Sequence, residues 1–267
     1  VIDRKGGIEI LQLSGGEPTL HPQFFELVEW AQTNPGIDYL LLNTNGVRVA
    51  NDEAFAKQLG KAFHYGGLQL YLQFDGVQLD GQHFLRGRDL RALRQRTIER
   101  CAEMNLPVTL AMTVTPDNLP HLWTAIEFAL GYRHIRGISF QPMFGSGRVP
   151  GGTRSNTFRV SPVGNGDRLD SAPSHPLNTA DIILAAVAQS SGRLRFEDFT
   201  PLPCGDPNCA TIGYLLKANG RTHSISEFID FTQVQDFLQD KIRYRLEDLM
   251  KCGCDSEPLG GLLKQFE

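Results

Sequence analysis

The sequence lacks several features that would assign it to a class at once. It has no apolar run near the roughly 18 residues that a membrane-spanning helix needs, and no basic run longer than a few residues. Its net charge is only −4, from 26 Lys and Arg and 30 Asp and Glu. We therefore predict a globular protein without a membrane span or a nucleic-acid partner, and we expect it in the cytoplasm.

Cysteine is also scarce. The five cysteines are an odd number with four of them late in the chain, which makes a poor disulfide framework: Cys101, Cys204, Cys209, Cys252 and Cys254. Metal binding is the better interpretation of the four late thiols, which could hold an auxiliary iron–sulfur cluster or a tetrahedral Fe or Zn site. The alternative is four unrelated thiols. Cys101 lies on the apolar face of a predicted helix and is expected in the core.

Five short apolar runs recur about every 30 residues, which is the size of one βα unit. They are residues 8–13, 39–42, 68–74, 108–114 and 135–140. Stretches with helical spacing of apolar residues lie between them. This rhythm predicts an α/β fold with a parallel sheet, either open or closed into a barrel.

The rhythm stops after Phe140. Residues 142–176 are rich in Gly, Pro, Ser and Arg and predict a long loop or cap, and a helix is predicted over residues 178–189. We therefore divide the chain into a core of residues 1–150 and a C-terminal, Cys-bearing extension of residues 151–267.

The carboxyl ends of parallel strands are where βα folds bind ligands. The first strand is followed by Gly15, Gly16 and Glu17. The two glycines let a ligand approach the backbone closely, and the carboxylate could accept an ammonium group. A plain βα turn with an exposed Glu is the alternative.

Polar residues follow the other strands too. Thr44 and Asn45 follow the second strand, and Gln73 and Asp75 flank Phe74 at the end of the third. Because side chains alternate along a strand, Gln73 and Asp75 could both face the mouth. Each pair could instead belong to a turn or cap the next loop.

The fifth strand is followed by Gln141 and by Arg148 in a Gly-rich loop. An arginine there could bind a carboxylate or a phosphate, or it could be a solvated loop charge.

Taken in order, these segments resemble the radical S-adenosylmethionine (SAM) superfamily. They are similar to one subgroup in particular, which contains archaeal tetraether lipid synthases and pterin-methylating enzymes. The segments are LSGGEP at 13–18, TNG at 44–46, LQFDG at 72–76, SFQP at 139–142, SGR at 146–148 and PLPC at 201–204.

The resemblance, which covers about residues 8–225, implies a partial (β/α) barrel without its first βα unit. It implies that Gly16 and Glu17, beside Gly15, bind the methionine end of SAM. It also implies that Gln73, with Asp75, contacts the ribose or the carboxylate of SAM, and that Gln141 lies near the adenine. The same resemblance implies that Thr44 and Asn45 face the SAM or substrate side of the mouth. Extra iron sites in the subgroup favour a metal at the late cysteines.

One departure is large. The family holds its [4Fe–4S] cluster with a CxxxCxxC loop, and no such spacing occurs in this sequence. Either the chain is truncated, which its start at Val1 rather than Met favours, or it is a degenerate member. We expect truncation, with the loop a few tens of residues before Ile8.

The resemblance implies an enzyme that reductively cleaves SAM to a 5′-deoxyadenosyl radical, which abstracts hydrogen from an unactivated C–H bond for C–C bond formation or methylation. Its expected partners are a small-molecule or lipid substrate and an electron donor such as ferredoxin or flavodoxin. Two alternatives remain. One is a SAM- or metal-binding module without catalysis. The other is a non-radical α/β-barrel hydrolase or lyase with Glu17 and Asp75 as its acid/base pair.

Overall fold

The computed structural model describes residues 2–63, 67–143, 177–201, 210–218 and 221–227. Within these ranges, the five predicted strands form one parallel sheet in sequential order. Their bounds are β1 Ile8–Leu13, β2 Ile37–Thr44, β3 Leu68–Gln73, β4 Val108–Val114 and β5 Ile135–Pro142. The predicted α/β class is thereby confirmed.

Helices connect successive strands of the sheet, and one further helix lies before the first strand and one after the fifth. Their bounds are α1 Ile2–Lys5, α2 Phe24–Thr33, α3 Val47–Asn51, α4 Glu53–Phe63, α5 Gln82–Arg86, α6 Arg91–Glu103, α7 Leu122–Leu130 and α8 Thr179–Gln189. Short 3-10 helices span Pro18–Leu20, Leu119–His121, Phe196–Asp198 and Ile225–Glu227. Two small antiparallel pairs lie late in the chain: β6 Thr200–Pro201 with β7 Thr211–Ile212, and β8 Leu215–Ala218 with β9 Arg221–Ser224.

The sheet has one apolar and one polar face. On β3, Leu68, Leu70 and Leu72 are fully buried in the core, whereas the alternating Gln69 and Tyr71 are half-buried. Parallel crossovers are right-handed, so sequential strand order puts all connecting helices on the same, apolar side. The sheet therefore curls as a half-barrel, with the helices outside and a polar concave face inside.

Hydrogen bonds between neutral side chains cross the concave face from strand to strand. The Tyr39 hydroxyl donates to Oε1 of Gln69 at 3.1 Å, and Nε2 of Gln69 donates to Oγ1 of Thr109 at 2.6 Å. At the first pair of strands, Nε2 of Gln12 donates to Oδ1 of Asn43 at 2.8 Å. These bonds tie β1 to β2 and β2 through β3 to β4.

Two helices begin at side-chain caps. Asp52 accepts a hydrogen bond from the amide of Phe55 at 2.9 Å and so caps α4. Asn178 and Asp181 form a reciprocal capping box at the start of α8. This helix packs against α7, and its Ile182 belongs to the same hydrophobic core as the strands of residues 1–150. The division of the chain at residue 150 stays a prediction. Among the described residues, no helix has the length and apolarity to cross a membrane.

Candidate functional site

The loop after β1 offers open space. A Cβ added to Gly15 or Gly16 would meet nothing within 4 Å, and both residues are exposed. Gly15 has a φ of +132°, in the region that favours glycine. The loop therefore leaves room for a ligand to lie against its backbone, and ligand binding there stays a prediction.

Glu17 joins the first two strand ends. Its Oε1 accepts hydrogen bonds from the hydroxyls of Thr19 and Thr44, at 2.7 and 2.8 Å, and from the amide of Thr19 at 3.3 Å. Its Oε2 accepts one bond, from the amide of Asn45 at 2.7 Å. A carboxylate oxygen can accept about two bonds, so Oε2 keeps room for one donor of a ligand.

The segment after β2 closes on itself. The Thr44 hydroxyl accepts from the amide of Gly46 at 3.1 Å, and Oδ1 of Asn45 accepts from the amide of Val47 at 2.9 Å. These bonds start α3, a short helix that the sequence does not predict. Thr44 is buried, so its role in the structure is to hold Glu17.

Gln73, at the end of β3, is held from behind by α6. Nη2 of Arg94 donates to Oε1 of Gln73 at 2.7 Å, and Nη1 donates to the carbonyl oxygen of Asn45 at 2.9 Å. Arg94 is 1% exposed, and its burial lowers the pKa to about 10. Arg94 thus connects the second and third strand ends.

Asp75 is turned into the protein. Its side chain is 1% exposed, and its carboxylate takes two bonds from Arg86, at 2.6 and 2.9 Å, and one from the amide of Thr113 at 3.2 Å. Its φ of 62° is left-handed, which rotates the side chain out of the alternation that Gln73 continues. Asp75 ties the third strand end to the fourth.

Gln141, on β5, lies at the exposed edge of the concave face. Its Nε2 donates to the hydroxyl of Tyr71 on β3 at 2.8 Å. The predicted contact Arg148 lies outside the described residues.

The described residues do not supply a metal-ligand set. They contain no group of three or more His, Cys, Asp or Glu able to hold a metal ion. Cys101 is fully buried, which raises the pKa of its thiol to about 12, so it stays a neutral core side chain as predicted. The four late candidates, Cys204, Cys209, Cys252 and Cys254, lie outside the described residues. The described chain therefore does not fit the [4Fe–4S] cluster that the family resemblance implies.

SAM fits better. The open backbone at Gly15 and Gly16 can receive a ligand, and Glu17 has a free acceptor position for an ammonium group. The bond from Arg94 also turns the amide nitrogen of Gln73 away from α6.

Two arginines of this site, Arg86 and Arg94, were not expected from the sequence. The buried face of α6 consists of Arg94, Thr97, Ile98 and Cys101. The sequence does hold a signal for Arg94, since this charged residue stands four positions before Ile98 on the buried face of the helix. An arginine that faces inward needs hydrogen-bond acceptors for its guanidinium group, so its position indicates a polar contact inside the protein. Arg86 lies on α5, a five-residue helix too short to give a period.

A second concavity lies elsewhere. A cavity of about 640 Å³ opens on the helix side of the sheet, with Phe74, Val77, Arg91 and Phe128 among its lining residues. Arg94, which bonds Gln73, also lines it, whereas Glu17 does not. The cavity therefore shares Arg94 with the strand-end site and lies apart from Glu17.

Comparison with known proteins gives a consistent result. The model of the Radical SAM superfamily matches residues 1–129. The 7,8-dihydro-6-hydroxymethylpterin dimethyltransferase of Methanocaldococcus jannaschii is 27% identical over 256 residues, covering 87% of this chain and 46% of that protein. A GTP 3′,8-cyclase of Pasteurella multocida is 44% identical over 98 residues, covering 37% of this chain and 27% of that protein. The chain thus spans less than half the length of these relatives.

Among solved structures, anSMEcpe with bound AdoMet and the Cp18Cys peptide is similar with a TM-score of 0.39 and 25% identity. The match covers 50% of this chain and 37% of that one.

Proposed function

Because this chain belongs to the radical SAM superfamily, we propose that its half-barrel binds SAM at the carboxyl ends of β1–β3 and serves SAM-dependent radical chemistry. In that chemistry a bound [4Fe–4S] cluster would supply the one electron that cleaves SAM to methionine and a 5′-deoxyadenosyl radical. The outcome that we propose is hydrogen abstraction from an unactivated C–H bond, with C–C bond formation or methylation. The described residues offer no ligands for the cluster, so our assignment to them is limited to binding and orienting SAM.

The free acceptor position on Glu17 carries this proposal. Oε1 is occupied by Thr19 and Thr44, so the carboxylate is held in one orientation before any ligand arrives. Oε2 remains available beside the open backbone of Gly15 and Gly16. A prearranged anion beside an open backbone is suited to the α-ammonium group of SAM.

The other residues predicted to contact SAM fall into two groups, one placed to touch a ligand and one that holds neighbouring residues. In the described contacts the amide nitrogen of Gln73 has no partner, and Gln141 is exposed at the edge of the concave face. Both could contact the ribose, the carboxylate or the adenine of SAM. Thr44, Asn45 and Asp75 act through hydrogen bonds that hold neighbouring residues. We therefore propose direct SAM contacts for the two glutamines, and supporting roles for the other three.

The concave face favours a polar small-molecule substrate over a lipid. An alkyl chain against Gln69 and Tyr71 would remove their amide and hydroxyl groups from water without offering them partners. The relatives named above carry the names of a pterin methyltransferase and a GTP cyclase. We propose a nitrogen heterocycle as the substrate class, and ferredoxin or flavodoxin as the electron donor.

A SAM-binding module without catalysis is the second candidate, because the sequence contains no CxxxCxxC spacing. The hydrolase alternative has less support, since Asp75 is buried and bonded to Arg86 and so is poorly placed for proton transfer.

One experiment separates these functions. Iron, acid-labile sulfide and EPR spectra with and without SAM are measured on anaerobic protein of this sequence and on protein extended at its N-terminus. Under dithionite, 5′-deoxyadenosine is then quantified. A SAM-responsive cluster with 5′-deoxyadenosine formation supports the radical enzyme. SAM binding without either supports the module, and no SAM binding in any preparation contradicts both.

The late cysteines need their own test. We propose that Cys204 and Cys209, with Cys252 and Cys254, hold an auxiliary iron–sulfur cluster or an Fe or Zn ion in the C-terminal extension. Cys204→Ser is expected to lower the metal content of anaerobically purified protein, with Cys101→Ser as the control. Equal metal in Cys204→Ser and the unaltered protein would refute Cys204 as a ligand.

A further inference from the structure

We infer that Arg94 is a positioning residue that fixes Gln73 as a hydrogen-bond donor at the mouth, so that the ligand group bound at the end of β3 is an oxygen acceptor. The inference rests on the proposed function, because it describes how the same site recognises SAM. It adds a residue and a polarity that neither the motifs nor the family resemblance assigns.

The polarity follows from the chemistry of the guanidinium group. Arginine has five N–H donors and no acceptor, so the atom of Gln73 that faces Nη2 of Arg94 at 2.7 Å is the oxygen Oε1. The amide nitrogen must then point the other way. Gln73 is half-buried at the end of β3, on the side of the strand opposite to the core leucines. Its two N–H groups can only donate, so a ligand atom that binds Nε2 of Gln73 is an acceptor.

The charge behind Gln73 adds to this polarity. Arg94 is buried, and in the described part of the chain no carboxylate lies within salt-bridge distance of its guanidinium group. Its partners are two neutral oxygens, and its Nε has no hydrogen-bond partner. Arg86, by contrast, is neutralised directly by Asp75. The charges of Asp75 and Glu17 act on Arg94 from beyond salt-bridge distance and offset part of its positive potential. The part that remains at Gln73 favours an oxygen with negative charge.

Two groups of SAM offer an oxygen acceptor. One is the methionine carboxylate, and the other is a ribose hydroxyl oxygen accepting a bond. A carboxylate gains more from the positive charge of Arg94, because a hydrogen bond to a charged acceptor is about twice as strong as a neutral one. The ammonium would then bind Glu17 and the carboxylate Gln73, on neighbouring strand ends joined through Asn45.

A purely structural role for Arg94 is the competing account. Its second bond, to the Asn45 carbonyl, does clamp the β2 loop to α6. The substitution Gln73→Glu distinguishes the two accounts, because it keeps the shape of the side chain and pairs Arg94 with a carboxylate. The same change removes the donor and puts an anionic oxygen at the mouth.

Gln73→Glu should therefore move stability and binding in opposite directions. We expect the melting temperature to rise by about 2–4 °C, since a buried cation gains a counter-ion. We expect SAM to bind about 10- to 100-fold more weakly in calorimetric titration, because a donor to a charged acceptor is lost. Gln69→Glu is the matched control, because Gln69 lies on the same strand and the same face as Gln73. Its side chain is bonded to Tyr39 and Thr109, which are neutral, so the new carboxylate would gain no counter-ion. Its melting temperature should fall.

Titration with 5′-methylthioadenosine, which has the ribose and adenine but no amino-acid end, separates the two oxygens. If Gln73→Glu weakens SAM but not 5′-methylthioadenosine, the acceptor is the carboxylate; if it weakens both, the acceptor is the ribose. Unchanged SAM affinity, or a melting temperature that falls as in Gln69→Glu, would overturn the inference. The unaltered protein could also bind no SAM while the melting temperature of Gln73→Glu still rises. That result would contradict the proposed function and the assignment of a SAM oxygen to Gln73, and it would support only the pairing of Arg94 with Gln73.

Discussion

The hydroxyl of Thr97 on α6 donates to the carbonyl oxygen of Gly46 at 3.0 Å, so the helix closes directly over the glycine that follows β2. Gly46 has a φ of 76°, and a Cβ there would lie 2.8 Å from Oγ1 of Thr97 and from Cδ1 of Leu72. The loop that holds Glu17 therefore depends on a glycine for both its conformation and its packing.

Gly46→Ala is expected to destabilise the protein by about 2–4 kcal/mol, from left-handed strain and overpacking together. Gly87→Ala is the matched control, because Gly87 has a similar φ of 70° but open space where its Cβ would stand. It should cost about 1–2 kcal/mol, from strain alone. Urea unfolding of both variants measures the difference, and equal losses would contradict the close packing at Gly46.

Glu17→Gln removes the negative charge that we propose binds the ammonium group of SAM. It also places an amide N–H donor next to the donors of Thr19, Thr44 and Asn45 that now bind the carboxylate. We expect SAM to bind at least about tenfold more weakly, and the free energy of unfolding to fall by about 1–3 kcal/mol. Calorimetric titration and urea unfolding measure the two effects. Glu26→Gln is the control, since Glu26 is exposed on α2 and bonds only to Gln23 in the described contacts. Unchanged SAM affinity in Glu17→Gln would refute the assignment of Glu17.

Asp75→Asn tests whether this residue is structural. Arg86 is 23% exposed, so its loss of a counter-ion is partly screened by water, and we expect a loss of about 2–4 kcal/mol. The comparison variant is Asp89→Asn, which removes a solvent-exposed pair with Arg91. That change should leave unfolding almost unaltered, as exposed pairs contribute little. If Asp75→Asn unfolds like the unaltered protein, the ion pair is not what holds the β3 and β4 ends together.

Cys101 links stability to pH. Burial raises the pKa of its thiol to about 12 in the folded protein, against 9 for an ordinary thiol. The folded state thus binds more protons between pH 9 and 12, so this contribution is present below pH 9 and is lost as the pH rises towards 12. Cys101→Ala should fall less in stability than the unaltered protein between pH 8 and 10 in urea unfolding. Identical pH dependence of the two proteins would contradict the burial of this thiol.

The sheet could be predicted from the sequence because its strands are buried on one or both sides and read as apolar runs. β1 and β4 have the predicted bounds, Ile8–Leu13 and Val108–Val114, and β3 ends one residue earlier than predicted. β2 extends further at both ends, to Ile37–Thr44, since backbone pairing with β1 and β3 continues past the apolar residues.

The detail of the site could not be predicted to the same degree. Asp75 leaves the alternation of β3 because its left-handed backbone directs it towards Arg86. An Asp adopts such a φ more often than most residues, but this preference is too weak to predict the conformation at one position. The burial of Arg94 depends on two acceptors, the carbonyl of Asn45 and the amide of Gln73, that are distant in sequence. Long-range polar contacts of this kind leave no periodic pattern.

Hydrogen–deuterium exchange with and without SAM, on anaerobically prepared protein, tests the central proposal most directly, because it maps where SAM binds. We predict slower exchange on SAM addition in peptides covering residues 14–19 and 44–47, which do not line the helix-side cavity, and in residues 72–76, which lie beside both. We predict no change in peptides from residues 122–130, on the helix-side cavity. Protection confined to α7 and the cavity near Phe128, or no protection anywhere, would contradict a SAM site at the strand ends.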